Sequence, residues 1–425
     1  HGHAAGPRPA APRAPLRRID DDPLGTRFDI AVIGGGIHGA GVAQAGAAAG
    51  HSVLVLEQYQ GLARGTSSRS SKLIHGGLRY LETGQFALVK ECLRERAHLL
   101  RNAPQLVRLK PFHIPVYRDS RHRPATLAAG LTLYALLGGL GPASRFRVLS
   151  PREWGTLEGL RTQGLQTVYR YHDAQTDDAA LTRAVMASAL ALGADLELGA
   201  AVESIALDRA GATVAYRKDG RLASCHCRVV INATGPWAQG LMARVTPAQS
   251  VPRTELVQGT HIVLDAERDT YLYVEAPRDR RPVFIMPWQG RTLVGTTERR
   301  FCGDPGAVSP HDEELGYLLE VYRHYLPGEA ARGAERLLGA FAGCRVLPGS
   351  QQGPHARPRE TLLMADRDRR PRLLTIYGGK LTAYRATAEK VIARVSPSLL
   401  ARKPRADTRR LALAPAHDLE PQALL

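Results

Sequence analysis

Residues 28–57, FDIAVIGGGIHGAGVAQAGAAAGHSVLVLE, leave few folds open to this chain. Ile30 to Ile33 form a short apolar, β-branched run. Val42 to Ala49 supply helix formers, Gly50 ends the helix, and Val53 to Leu56 form a second strand. The stretch therefore reads as one βαβ unit of the usual size, about 30 residues. Its turn carries Gly34, Gly36 and Gly39 in G-x-G-x-x-G spacing. Gly34 permits the tight turn, Gly36 lets the backbone approach a pyrophosphate, and Gly39 lets helix and strand pack closely. The helix N-terminus adds unpaired N–H groups and the positive end of its dipole. Glu57 closes the second strand, where a carboxylate accepts hydrogen bonds from ribose hydroxyls. A glycine triplet alone is weak evidence. With strand, helix and acidic residue in register it predicts a dinucleotide.

Later segments decide which dinucleotide. INATGPWA (Ile231–Ala238) and GGKLTAYR (Gly378–Arg385) each follow a predicted strand, and the second repeats a glycine turn before a helix. Backbone from several distant segments is what a long, buried FAD requires. Between these segments, Phe86–Arg101 reads as a helix, and DDAALTRAVMASALALGADLEL as a helix capped near Asp177 or Asp178 that runs into a strand. A hairpin is expected around Arg209-Ala210-Gly211. Short alternating runs from Thr260 to Thr297 suggest an antiparallel sheet. The expected fold is α/β with an α+β second domain: a Rossmann-type FAD-binding domain carrying an inserted antiparallel-sheet substrate domain. The boundaries are drawn at 27–95, 165–250 and 350–400 for the discontinuous FAD domain. Residues 96–164 and 251–349 are assigned to the substrate domain, 1–26 to a disordered arm and 401–425 to a short tail.

Composition narrows the partners. The 425-residue chain carries a net charge of +17, almost all from arginine, since only seven of its 57 basic residues are lysines. Such a surface attracts anions, whether a phosphate-bearing substrate or an anionic membrane. Aromatic residues are 6% of the chain, and no stacking motif or zinc-finger spacing supports nucleic acid. Five scattered cysteines fit neither a disulfide framework nor a metal clip, so no metal is expected and a cytoplasmic compartment is. Pro124–Ser144 holds no charge, yet its glycines and terminal prolines argue for a buried, half-buried or bilayer-touching helix over a spanning one.

One stretch is more specific still. GTSSRSSKLIHGGLRYLE (Gly65–Glu82), INATGPWA, GTHIVL, GTTE and GGKLTAYR, in this order, resemble the FAD-dependent glycerol-3-phosphate dehydrogenases of the D-amino-acid-oxidase-like flavoproteins. The similarity runs from about Phe28 to Val395. It implies oxidation of sn-glycerol 3-phosphate to dihydroxyacetone phosphate, with hydride passing from C2 to flavin N5 and electrons going on to a quinone. It also implies a peripheral association with the cytoplasmic membrane and allows a homodimer. By this resemblance Arg79, Tyr80 and Arg359 bind the substrate, and His261, Arg345 and Lys380 are catalytic. Which of those three takes the hydroxyl proton stays open. Thr66, Ser67, Ser68, Ser70 and Ser71 become donors to FAD, with Lys72 near its phosphates. His75, Gly76 and Gly77 lie near the flavin ring. Ala233, Thr234 and Gly235, and Gly379, Lys380, Leu381 and Thr382, complete the cofactor site.

Departures from the pattern are equally legible. Arg69 stands where a small residue is expected, Val346 where proline is usual, and Glu298 replaces aspartate in GTTE. The helical C-terminal domain common in the family is not expected within the tail after Val395. The same frame serves oxidases and dehydrogenases of amino acids or other hydroxy acids, and a peroxide-forming glycerol-3-phosphate oxidase, so those remain alternatives.

Overall fold

The computed structural model describes residues 26–331, 333, 335–349 and 361–419. The arm expected at the N-terminus and Arg359 fall outside the described residues.

β1 (Thr26–Ile33), α1 (Ile37–Ala48) and β2 (Val53–Glu57) form the βαβ unit, with β1 and β2 parallel from Ile30↔Val53 to Ile33↔Leu56. The strand Arg221–Asn232 lies on the other side of β1, also parallel, with Ile33 opposite Asn232. Strand Leu373–Tyr377 pairs parallel with the end of that strand. Parallel strands deliver their carboxyl ends to one rim of the sheet. The Gly34 turn, Glu57, Ala233–Gly235 and Gly378–Thr382 therefore gather there, although they are far apart in the chain. In open α/β sheets this rim is where ligands bind.

The strands of this rim are continuous apolar runs because both faces of the sheet are covered. Ile30, Val32, Val53, Val55 and Ile231 are fully buried. Each contributes roughly 1.5–3 kcal/mol of burial free energy. On one face they pack with α1, α4 (Asp178–Ala191) and the last helix, Tyr384–Val395. On the other, Ala31, Leu54 and Leu56 meet Val202, Ile205 and Val214 of the hairpin expected around Arg209–Gly211, together with Leu241 and Met242. Almost every residue of α1 is buried, which explains its run of alanine and glycine.

Among the described residues the second sheet has ten strands and is antiparallel, except where Tyr271–Glu275 runs parallel to Val107–Tyr117. It includes the runs expected between Thr260 and Thr297, within strands Thr254–Leu264, Tyr271–Glu275, Pro282–Trp288 and Arg291–Gly295. One boundary differs. Leu165–Thr176, read from sequence as the return to the first domain, pairs along its length with Val107–Tyr117 in the second sheet. The chain re-enters the first layer only at α4. A half-buried strand shows alternation whichever sheet it joins, so its pattern did not name its neighbour. β3 (Leu73–Ile74), inside the serine-rich stretch, also pairs with this strand and ties that stretch to the second sheet.

The helix α2 (Phe86–Asn102) occupies its expected span. α3 (Pro124–Leu137) is half-buried. Leu131, Tyr134 and Ala135 face the interior, while Leu136 is 55% exposed. Among the described residues no helix is long and apolar enough to cross a membrane.

Candidate active site

The rim of the first sheet opens into a cavity of about 370 Å³, within the range for small-molecule sites. Its first wall is the glycine turn. Gly34 has φ +109°, and a Cβ there would lie 2.7 Å from the carbonyl oxygen of Ala233. A Cβ on Gly39 would lie 1.8 Å from the Gly34 carbonyl oxygen, so only glycine lets α1 start so close to its strand. The α1 N-cap, Gly36, offers no side chain, and the Ile37 N–H donates to Ser67 Oγ at 2.9 Å. Backbone donors, a bare helix N-terminus and a hydroxyl thus face one space, which suits a pyrophosphate.

Glu57 lines the same cavity. Its carboxylate accepts from the N–H of Gly35 (2.6 Å) and of Tyr59 (2.8 Å). Burial pushes its pKa up, and those backbone hydrogen bonds pull against the shift. Ala233, Thr234 and Gly235 form a second wall. Gly379, Lys380, Leu381 and Thr382 form a third.

The stretch Gly65–Glu82 divides into residues that face the cavity and residues that brace it. Thr66, Ser67, Ser70, Ser71 and His75 line it. Thr66 also donates to the Cys344 carbonyl at 2.6 Å, and His75 donates its N–H to Thr382 Oγ1 at 3.1 Å. Ser68 turns away and donates to the carbonyl of Gly65, capping the turn. Lys72, expected near the cofactor phosphates, does not line the cavity. Its ammonium is buried between Asp178 Oδ1 and the Ser68 carbonyl, each at 2.6 Å. Ser70 donates its N–H and hydroxyl to Asp178 Oδ2, at 3.0 and 2.6 Å. Asp178 sits in the first turn of α4 with no exposed surface, so the lysine is spent on neutralising it. Gly76 and Gly77 lie behind the wall. The Gly76 N–H donates to Tyr134 Oη, which donates to Asp173 Oδ1, itself paired with Arg96 at 2.6 Å.

On the side of the cavity built by the second sheet, His261 is 2% exposed and stacks on Phe341 with ring centroids 5.0 Å apart. Its Nε2 shares a hydrogen bond with Ser71 Oγ at 2.9 Å, and Nδ1 has no hydrogen-bond partner among the described residues. Burial first, then the charges of Lys72 and Arg345, push its pKa down to about 3, so the ring is neutral. Lys380 holds its ammonium 3.5 Å over the Tyr80 ring, a cation–π contact. Arg345 and Arg79 reach one carboxylate oxygen, Oε1 of Glu298, at 3.2 and 3.9 Å. Arg345, Tyr80 and Lys380 line the cavity, whereas Arg79 stands beside it.

Sequence reasoning missed several wall residues. Arg64 and Arg244 bring positive charge to the cavity, and His38 reaches it from the first turn of α1. Burial pushes the His38 imidazole down to about 4. Trp237 stood inside INATGPWA without being assigned, and it meets Tyr59 edge-on at 6.2 Å. Only the motif position of His38 and Trp237 could have flagged them. Arg69, marked as irregular in sequence, lines the cavity with its side chain against Gly343. Among the described residues no group of three metal-ligating side chains gathers.

Comparison with known proteins agrees with this geometry. The DAO family model, FAD dependent oxidoreductase, matches residues 29–385. A glycerol-3-phosphate dehydrogenase of Pseudomonas aeruginosa is 37% identical over 390 residues, 88% of this chain and 73% of that protein. A D-erythritol 1-phosphate dehydrogenase of Brucella abortus is 35% identical over 376 residues, 86% of this chain and 73% of the relative. The crystal structure of the Bacillus halodurans glycerol-3-phosphate dehydrogenase complexed with FAD superposes with a TM-score of 0.68 at 26% identity. It covers 91% of this chain and 68% of its own.

Proposed function

The chain belongs to the DAO family of FAD-dependent oxidoreductases, in the group of the FAD-dependent glycerol-3-phosphate dehydrogenases, and from that premise we propose that it oxidises sn-glycerol 3-phosphate to dihydroxyacetone phosphate. The observation that carries the substrate is the convergence of Arg79 and Arg345 beside Lys380, Tyr80 and His261, at the cavity that holds the dinucleotide cradle. Arginine forks suit phosphate oxygens, which accept two parallel hydrogen bonds.

FAD supplies the two-electron acceptor for the hydrogen at C2. The chain's own residues do the rest. Gly34, Gly36 and the α1 N-terminus would hold the pyrophosphate, Glu57 the adenosine ribose, and Gly379–Thr382 the flavin end. Lys380 would stand where a cation can stabilise negative charge on the flavin. Arg79 and Arg345 anchor the phosphate, with Arg359 assigned to the same task. His261 accepts the hydroxyl proton on Nδ1, since Nε2 is engaged by Ser71 and the competing candidates are cations. A phosphate dianion on Arg345 relieves one of the charges that weaken this base.

Quinone is the proposed final acceptor, and an anionic membrane surface the place where it is met. The arginine-rich surface and the exposed Leu136, Leu140 and Val148 support a peripheral association, and a homodimer is part of the same reading.

The test is spectroscopic. Glycerol 3-phosphate added without oxygen bleaches the bound flavin. The reading fails if that substrate leaves the flavin oxidised while an amino acid, a hydroxy acid or erythritol 1-phosphate bleaches it. Admitting oxygen and assaying peroxide then separates an oxidase from a dehydrogenase.

A further inference from the structure

A carboxylate placed between two phosphate-binding arginines opposes the anion they are meant to hold. Glu298 is such a group. It follows strand Arg291–Gly295 and is 5% exposed, whereas the side chains of Arg79 and Arg345 are 25% and 31% exposed. The carboxylate is therefore the more buried partner of both guanidinium groups.

Its own position is fixed independently of them. The Glu298 carbonyl accepts from Arg281 Nη1 at 2.8 Å. The neighbouring Thr297 is bonded to the backbone of Thr260 in both directions, N–H to carbonyl at 3.2 Å and hydroxyl from N–H at 2.9 Å. Arg79 and Arg345 have no such common scaffold. One comes from the short turn Leu78–Leu81, the other from strand Leu337–Pro348. Two cations brought together from separate elements repel each other unless a counter-charge holds them.

We propose that Glu298 is a positioning residue: it locks Arg79 and Arg345 into one fork and so sets the affinity for the phosphate of a phosphomonoester. The proposal rests on reading the site as a phosphomonoester site. Preorganisation spares the ligand the cost of ordering both arginines at the moment of binding.

The test uses the FAD-loaded enzyme and the variants Glu298→Gln and Glu298→Asp. Glu298→Gln keeps the shape and removes the charge. It should raise KM for glycerol 3-phosphate and Ki for inorganic phosphate in parallel, by about tenfold, the worth of a charge-assisted hydrogen bond. The loss in kcat should stay under about threefold, because the interaction is uniform between ground and transition state. Flavin content and visible spectrum should match the parent. Glu298→Asp should fall between, and it carries the test if the glutamine variant does not fold.

Unchanged or lowered KM and Ki would overturn the proposal, since the carboxylate would then be inert or a competitor of phosphate. Loss of flavin and of thermal stability with phosphate Ki unchanged would reduce Glu298 to a structural role. If the parent is not reduced by glycerol 3-phosphate, yet inorganic phosphate binds it and binds Glu298→Gln more weakly, the clamp stands and the substrate assignment fails.

Discussion

At the residue scale the proposed reaction turns on His261. Burial and two nearby cations hold its pKa down, to about 3, so the ring is neutral at ordinary pH. The ring gains a proton only below that value, and a bound phosphate dianion raises the value without removing the burial that dominates it. We therefore expect kcat to stay level as pH falls from 8 to 6.5 and to decline only further down. KM should rise sooner, because the substrate phosphate loses its second charge near pH 6 (about). A kcat limb centred at 6.5 or higher would show instead a histidine of ordinary basicity. His261→Asn should lower kcat by roughly 10²–10⁴-fold, the usual contribution of a positioned base, with flavin content intact. His261 was legible in sequence as a candidate through the GTHIVL motif. Its burial, its Ser71 partner and its depressed pKa depend on Phe341 and Lys72, which only the folded chain brings to it.

At the scale of elements, periodicity found most of the parts and none of their cross-links. α1, α2, the hairpin and the glycine turns stand where hydrophobic spacing placed them. Lys72 shows what spacing hides. In sequence it is a cation among serines, suited to a phosphate. In the fold it joins the serine-rich stretch to the first turn of α4 through Asp178, whose own pKa burial raises and Lys72 lowers. Removing one partner of a buried ion pair leaves the other charge uncompensated, at a cost of about 3–5 kcal/mol. Lys72→Met should therefore lose stability of that order in urea unfolding of the flavin-loaded protein. The double variant with Asp178→Asn should recover part of it. If Lys72→Met unfolds at the parent's urea concentration but binds FAD more weakly, Lys72 is a cofactor ligand after all. The same logic explains the assignment of Leu165–Thr176 to the wrong layer: its alternation was real, but its partner was a strand some fifty residues earlier (about), and pairing is not encoded in alternation.

At the scale of the whole molecule, the rim of parallel strand ends assembles the cradle, and the second sheet supplies His261, Arg345 and Glu298 across from it. The glycine motif announced the first half. The second half was legible only through the family resemblance, because a lone arginine in so basic a chain carries no address. The net charge of +17 acts on a longer range than any of these contacts. Leu136, near the end of α3, and Leu140 and Val148 after it are all more than half exposed, with the exposed arginines 145 and 147 among them in sequence. An apolar patch set among basic residues is attracted to anionic headgroups, with about 1 kcal/mol per basic side chain near the surface. Cosedimentation with vesicles containing phosphatidylserine should therefore be strong at low ionic strength and lost near 1 M salt, where screening shortens the Debye length to about 3 Å. Neutral vesicles should retain little protein, and the paired variant Leu136→Glu with Leu140→Glu should bind anionic ones more weakly. Binding that ignores salt would point to burial of apolar surface alone. No binding at low salt would leave the charge to the substrate, whose dianion the same field draws toward Arg79 and Arg345.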